Sequence, residues 1–363
     1  MASKKRYLDT DVLTMARERI RHTYDIFDHV AVSWSGGKDS TVCLYLVEEI
    51  RRERGIKTPL HVIFRDEELI PDDVLDFVNK KRLLGIYDFR YYAVAQKSQK
   101  YVLGNLADYV QWDPRRAWIR PKPEFAITGD PQKIYHQTEM DAFLAQGVRG
   151  RMALILGIRA DESITRYKSV MQRRFENYIC ASSAPNVRVV KPIYDWAMND
   201  IFKYYLDTGQ EYCVTYDLQA WNAQPLRVAT PLLAESSKTF HKLRTLYPVF
   251  YNQIVSMFPD MILQERYSRV LSRDIAAGYP HTWDGLRQFV QERFSPFEAA
   301  KIRKHINSAQ AIRRNKEAQG DVRGNLGGYP LRHVWRTAFA GSKYMIQPKA
   351  KPTKDDLEFE GRA

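Results

Sequence analysis

Six consecutive residues carry most of the chemistry legible in this chain. Ser35-Gly36-Gly37-Lys38-Asp39-Ser40 closes an apolar run, HVAVSWS at 29–35, and opens a stretch of helical periodicity from about 39 to 53. Paired glycines permit a tight turn and close approach of backbone to phosphate. A helix starting there offers free N–H groups and a positive dipole end to an anion. Lys38 adds a point charge, and Ser35 and Ser40 add hydroxyl donors. The pattern is not GxxxxGK[ST], because the glycine pair abuts Lys38 directly and Asp39 follows. The expected chemistry is phosphate binding, with Lys38 and Asp39 as catalytic candidates.

Other residues belong with this loop. Gly157 stands at the end of an apolar run and leaves room for a nucleotide against the backbone. Arg159, just beyond, could fork onto a phosphate or sulfate, which makes it a third catalytic candidate. Glu162 and Arg166 are four apart and could pair on one helical face. Asp66 follows a second apolar run, and it or Asp39 could help hold Mg²⁺, which favours carboxylate and phosphate oxygens. An acid-rich helix entry explains RDEELIPDD (65–73) equally well. No GxSxG, HExxH or EF-hand loop competes, and the eight histidines show no metal-ligand spacing.

The elements that must position these residues alternate. Helical spacing covers 10–26, capped by Thr10 or Asp11. Strands are expected at 29–35, 60–64, 88–95, 151–159 and 187–193, and helices at 39–53, 71–85 and 195–209, the last stopped by Gly209. This predicts an α/β fold, a mostly parallel sheet with helices on both faces. Its binding crevice lies beyond the carboxyl ends of the strands. From about 226 the chain reads as helical, over 240–258, 283–294 and 299–318, with a glycine-rich stretch at 320–330. The expected division is 1–225, 226–298 and a basic 299–363 with a frayed tail. Residues 111–135 hold four prolines and two tryptophans and read as an ordered insertion. Trp112, Trp118, Arg115, Arg116, Arg120 and Lys122 suit either stacked bases or a packed lid.

Three motifs in order resemble a known family. The hexapeptide is similar to the PP-loop of the adenine nucleotide α-hydrolase superfamily, whose fold is Rossmann-like. LGIRADES (156–163) with Arg166, and KPIYDW (191–196) with Asp200-Ile201-Phe202, resemble the phosphoadenosine phosphosulfate (PAPS) reductase family. The resemblance spans roughly 25–220. It implies an adenine nucleotide, ATP or PAPS, held by Ser35 to Ser40, Asp66, Gly157, Arg159, Glu162 and Arg166, with Mg²⁺. It implies attack on the α-phosphate and release of pyrophosphate, by adenylation or sulfur transfer. The N-terminal helix and WDPRRAWIRP resemble the IbrA-like branch of phages and mobile elements, which implies a ParB-like partner.

The cysteines depart from the family. Only Cys43, Cys180 and Cys213 occur, none after 213. The reductases' C-terminal nucleophile is missing, and three isolated thiols cannot supply the four of an iron–sulfur cluster. Thiol-based reduction is therefore not expected. The alternatives are a nucleotide-sensing module that binds DNA or a ParB-like partner without turnover, and a sulfonucleotide reductase or sulfurtransferase.

The chain's 363 residues and 44% hydrophobic content suit a cored globular protein. With no long apolar run, no membrane span is expected, and the sparse cysteines suggest the cytoplasm. The net charge is +13. Residues 301–354 hold 13 Lys or Arg against Glu317 and Asp321, an excess of 11. Such a concentration suits nucleic acid or a solvated tail alike.

Overall fold

The computed structural model describes residues 8–103, 105–170, 176–224, 226–267, 278–319, 328–339 and 352–361. Its centre is a six-stranded sheet in the order β3-β2-β1-β6-β8-β7. The strands are β1 (His29–Ser33), β2 (Leu60–Arg65), β3 (Tyr87–Tyr92), β6 (Met152–Leu156), β7 (Ile179–Ala181) and β8 (Val187–Val190). All pairings are parallel except β7 with β8. Alternate residues of the central strands enter different cores, as the two-residue period requires. Val32, Val62 and Phe64 join one core, and Ala31, Ile63 and Leu154 join the other.

Helices cover both faces. The first core takes α1 (Val12–Ile26), α2 (Lys38–Glu53), α3 (Asp72–Arg82) and α6 (Met198–Thr208). The second takes α4 (Gln137–Leu144) through Met140 and Leu144. Asp11, not Thr10, caps α1 by accepting from the Leu13 and Thr14 amides, both at 2.9 Å. Such a cap contributes about 1 kcal/mol. Gly209 ends α6 with φ of 64°, a left-handed turn that glycine adopts freely.

Strand order explains the site. The chain runs outward from β1 through β2 to β3, then returns to place β6 on the other side of β1. The direction reverses between β1 and β6. The loops leaving these two strands, Ser35–Gly37 and Gly157–Arg159, therefore diverge around one crevice.

Several elements differ from the sequence reading. A two-stranded antiparallel hairpin, β4 (Gln96–Val102) with β5 (Asn105–Gln111), precedes the insertion. Its polar QKSQK carries no apolar alternation for periodicity to detect. The helix expected over 240–258 is two, α9 (Phe240–Leu246) and α10 (Pro248–Met257). Pro248 drives Tyr247 out of helical geometry, to φ −137° and ψ 68°. With α11 (Met261–Tyr267) they form a third core around Leu232, Phe240 and Ile254, after the short α8 (Ala234–Ser237).

The C-terminal helices α12 (Trp283–Arg293), α13 (Pro296–Ala318), α14 (Leu331–Phe339) and α15 (Lys354–Phe359) surround Leu286, Ile302, Ile306 and Trp335. Within the described residues 352–361 the tail forms α15 and is tied back by Glu360. Glu360 receives both terminal nitrogens of buried Arg313 at 2.9 and 2.7 Å, and the Leu331 amide at 2.6 Å. Arg313 and Arg332 thus spend their charge on Glu360 and Asp355. Lys301, Lys304, Arg314 and Lys316 remain exposed on α13. Most of the glycine-rich stretch, 320–327, lies outside the described residues.

Candidate functional site

The Ser35–Ser40 loop is built from its own hydroxyls. Ser40 Oγ donates to the Gly37 carbonyl at 3.0 Å and accepts from the Ser35 amide at 3.2 Å. Thr41 Oγ1 donates to the same carbonyl at 2.9 Å and accepts from Trp34 Nε1 at 2.8 Å. Gly36 adopts φ of +72°, and a Cβ there would press on Val74 and Val78 at 3.1 Å. Only glycine suits both demands. Two tyrosines far along the chain pin the helix start. The Lys38 amide donates to Tyr216 OH at 2.9 Å, and Tyr205 OH donates to the Lys38 carbonyl at 2.6 Å. Among the described residues, the Gly36 and Asp39 amides form no hydrogen bond and remain donors at the positive end of α2.

Asp39 is the hub of the charges. Its Oδ2 lies 2.8 Å from Lys38 Nζ, and its Oδ1 lies 2.6 Å from Arg159 Nε. Lys38 also donates to the Leu226 carbonyl at 3.1 Å and faces the Tyr216 ring. Burial pushes its amine below the usual lysine range. Asp39 opposes that, and Arg159 and Arg227 add to it. Arg159 is brought to the loop as expected, but its guanidinium is only 1% exposed and is committed. It donates to Asp39 and to Asp161 at 2.6 Å, and sits 3.7 Å from Glu162. It therefore positions Asp39 and leaves no free edge for a phosphate. Glu162, in a 3-10 turn, pairs with Arg166 of α5 (Ile164–Val170).

Gly157 has a reason of its own. A Cβ there would fall 2.4 Å from the Ser40 nitrogen and 2.5 Å from the Asp39 carbonyl carbon. The backbone of α2 occupies the room that the sequence reading reserved for a nucleotide.

The end of β2 holds the insertion down. Asp66 is buried and accepts from Arg120 and from Tyr91 OH, both at 2.6 Å. Burial pushes its carboxyl up, and these two donors oppose that shift. Glu68, also buried, takes the Arg116 fork at 2.7 and 2.6 Å and the Trp112 amide at 2.6 Å. Trp112 is fully buried and donates to the Asp66 carbonyl at 2.7 Å. The packed-lid reading of 111–135 therefore holds for Trp112, whose face is closed to a base.

Mg²⁺ normally takes one or two carboxylates together with substrate phosphates. Both oxygens of Asp66 already serve Arg120 and Tyr91, and both of Asp39 serve cations. Among the described residues no group of three His, Cys, Asp or Glu side chains could hold a metal. As placed, the residues do not build a Mg²⁺ site.

A cavity of about 200 Å³ opens beyond β1 and β2, beside the loop. Ser33, Trp34, Ser35 and Glu67 line one side, and Val228 and Thr230 the other. Glu67's surface faces this cavity, and burial pushes its carboxyl up against the pull of Arg65. The covering segment is held by Gln219, which clamps the Arg227 amide at 2.9 Å and carbonyl at 2.7 Å. Sequence reasoning missed Tyr205, Tyr216, Gln219, Arg227 and Glu67. Their partners lie elsewhere in the chain or in a cavity, so no local pattern announces them. Cys43 and Cys213 are poor nucleophiles by placement. Burial pushes both Cys43 and Cys213 up, and Cys180 Sγ donates to the Ser169 carbonyl at 3.3 Å.

Residues 29–254 match the model of the phosphoadenosine phosphosulfate reductase domain. The chain belongs to that family. The match takes in the loop, Gly157, Arg159, the insertion and the covering segment. This PAPS reductase domain also aligns with the uncharacterized protein YbdN of Escherichia coli (strain K12), 30% identical over 236 residues. The alignment takes in 61% of this chain and 58% of YbdN. Distant structural likenesses include Candida glabrata FMN adenylyltransferase with FAD and inorganic pyrophosphate (TM-score 0.39, 16% identity, 59% of this chain and 65% of that one). Phosphoadenylyl-sulfate reductase from Candida auris scores 0.31 at 11% identity, over 60% and 94%. The U34-tRNA thiolase NcsA from Methanococcus maripaludis scores 0.29 at 14% identity, over 73% and 84%. At such scores the site of this PAPS reductase domain is read from its own residues. No described helix is long and apolar enough to cross a membrane.

Proposed function

We propose that the chain binds ATP with its phosphates on the Ser35–Ser40 loop and directs a nucleophile to the α-phosphorus, releasing pyrophosphate. The observation that supports this best is the loop itself. A glycine turn opens α2 at the reversal of strand order, with the Gly36 and Asp39 amides unpaired and Lys38 alongside. That is an anion site by geometry and dipole.

Lys38 is the group that meets the phosphates, exchanging the Leu226 carbonyl for a phosphate oxygen. Asp39 orients Lys38, and Arg159 fixes Asp39. Donors fixed in this way stabilise charge as it develops on the departing pyrophosphate. The cavity beyond β1 and β2 receives the nucleoside, with Glu67 and Trp34 on its wall. Isothermal titration with ATP and with PAPS tests the binding. ATP binding to the wild type and its loss in Lys38→Ala support the reading. Equal affinity in both proteins defeats it.

A further inference from the structure

A second cavity lies against the Arg227–Pro231 segment, next to the nucleotide cavity. The two share Pro71, Val228 and Ala229 as a common wall. Its volume is about 140 Å³, close to the roughly 150 Å³ of a cavity that admits benzene. Val74, Val228 and Leu243 give it apolar sides, and Thr215, Gln224 and Arg227 give it polar ones.

One of those polar groups is buried without a partner, and a second is open to a ligand. Gln224 Nε2 is sealed from solvent and has no hydrogen bond among the described residues. Sealed donors in finished proteins are nearly always satisfied, so this one is placed for an acceptor that a ligand would bring. The Arg227 side chain is exposed and forms no ion pair or hydrogen bond among the described residues; only its backbone is held, by Gln219. An amide donor and a free guanidinium beside an apolar chamber suit a carboxylate on a small ring or branched chain. Thr215 Oγ1 lies 3.3 Å from Tyr247 OH, which donates to Asp73 at 2.9 Å, so the opposite wall is polar but already paired.

The chamber adjoins the loop at three points. Val74 abuts Gly36, Thr215 precedes the Tyr216 that accepts from the Lys38 amide, and Arg227 follows the Leu226 that accepts from its amine. We propose that this cavity binds a small organic acid through Gln224 and Arg227. Its role as the acceptor rests on the ATP reading; its binding does not. As acceptor, a carboxylate oxygen of the acid bonds to the α-phosphorus while the bond to the bridging oxygen breaks. Pyrophosphate leaves with that electron pair. The acid arrives deprotonated, so no proton has to be removed.

The probe is 4-fluorobenzoate, followed by ¹⁹F line broadening with the full chain, and fluorobenzene is its neutral counterpart. The wild type should broaden 4-fluorobenzoate more strongly than fluorobenzene. Gln224→Leu should weaken the acid about 5- to 10-fold and Arg227→Ala about 10-fold or more, with fluorobenzene unaffected by Gln224→Leu. Leu243→Trp fills the chamber and should abolish both. If Leu243→Trp does not fold, the two polar variants still decide the matter. No broadening in the wild type, or binding unchanged in both Gln224→Leu and Arg227→Ala, overturns the proposal. ATP binding and pyrophosphate release are separate assays, so a protein that binds ATP but not the probe defeats this inference alone. One that binds the probe but not ATP defeats only the nucleotide reading.

Discussion

Arg159 and Asp39 stand 120 residues apart in sequence, yet Arg159 Nε lies 2.6 Å from Asp39 Oδ1, with Lys38 Nζ on the other oxygen. The carboxylate sits between two buried cations. Breaking such an arrangement by removing one member leaves uncompensated charge, at a cost of about 3–5 kcal/mol. Asp39→Asn should therefore lower the unfolding free energy measured in urea by that order, with a lower midpoint, and Arg159→Met should do the same. Unchanged midpoints in both variants would show that the pairing does not persist in solution.

Gly157→Ala tests the contact between β6 and α2. The added methyl would need the start of the helix to move, because backbone stands within 2.6 Å of it. Overpacking of this kind costs about 1–3 kcal/mol. A lower melting temperature with weakened ATP binding is expected. Gly55→Ala, where nothing lies within 4 Å, controls for loss of glycine, although its φ of +67° makes it mildly destabilising on its own. ATP affinity equal to wild type in Gly157→Ala would mean that α2's position does not set the anion site.

Much of this was readable in advance, and the exceptions have physical causes. The loop, the parallel strands and their helices announced themselves because glycine turns and apolar periods are local. The family motifs point to Arg159 and Gly157, and the structure places both against the start of α2. A sequence shows that an arginine and a glycine follow a strand, not that helix backbone fills the space beside Gly157. Nor does it show that Arg159 faces carboxylates. The β4–β5 hairpin was invisible because its polar residues lack alternation. Tyr216 and Gln219 were invisible because Lys38 and Arg227 are partners only through folding.

Glu68 should hold the insertion closed. It is buried, takes the Arg116 fork, and adopts φ of 67°, uncommon for a non-glycine residue. Glu68→Gln removes the charge from the Arg116 fork, leaving Arg116 the Val110 and Ala117 carbonyls. Limited trypsin digestion should then cut within 111–135, after Arg115 or Arg116, much faster than in the wild type. Equal cutting rates would place the anchor elsewhere.

The depressed Lys38 amine carries a pH signature. The folded chain holds this proton less tightly than the unfolded chain does. Its contribution to stability therefore rises as pH climbs from the lowered value to the ordinary 10.5. Anion binding runs the other way, because the neutral amine attracts no phosphate. ATP affinity of the wild type should fall along a limb with a midpoint below 10.5. A midpoint at or above the ordinary value would contradict the burial of this side chain.

The central claim concerns the α-phosphorus, and α-³²P-labelled ATP tests it most directly. The purified chain is incubated with labelled ATP, alone and with cell extract as a source of acceptor, and its products are separated. The account predicts pyrophosphate together with labelled AMP or a labelled acceptor, with both lost in Lys38→Ala. Intact ATP in every incubation, from a chain shown to bind it, would contradict attack at the α-phosphorus and leave a nucleotide sensor.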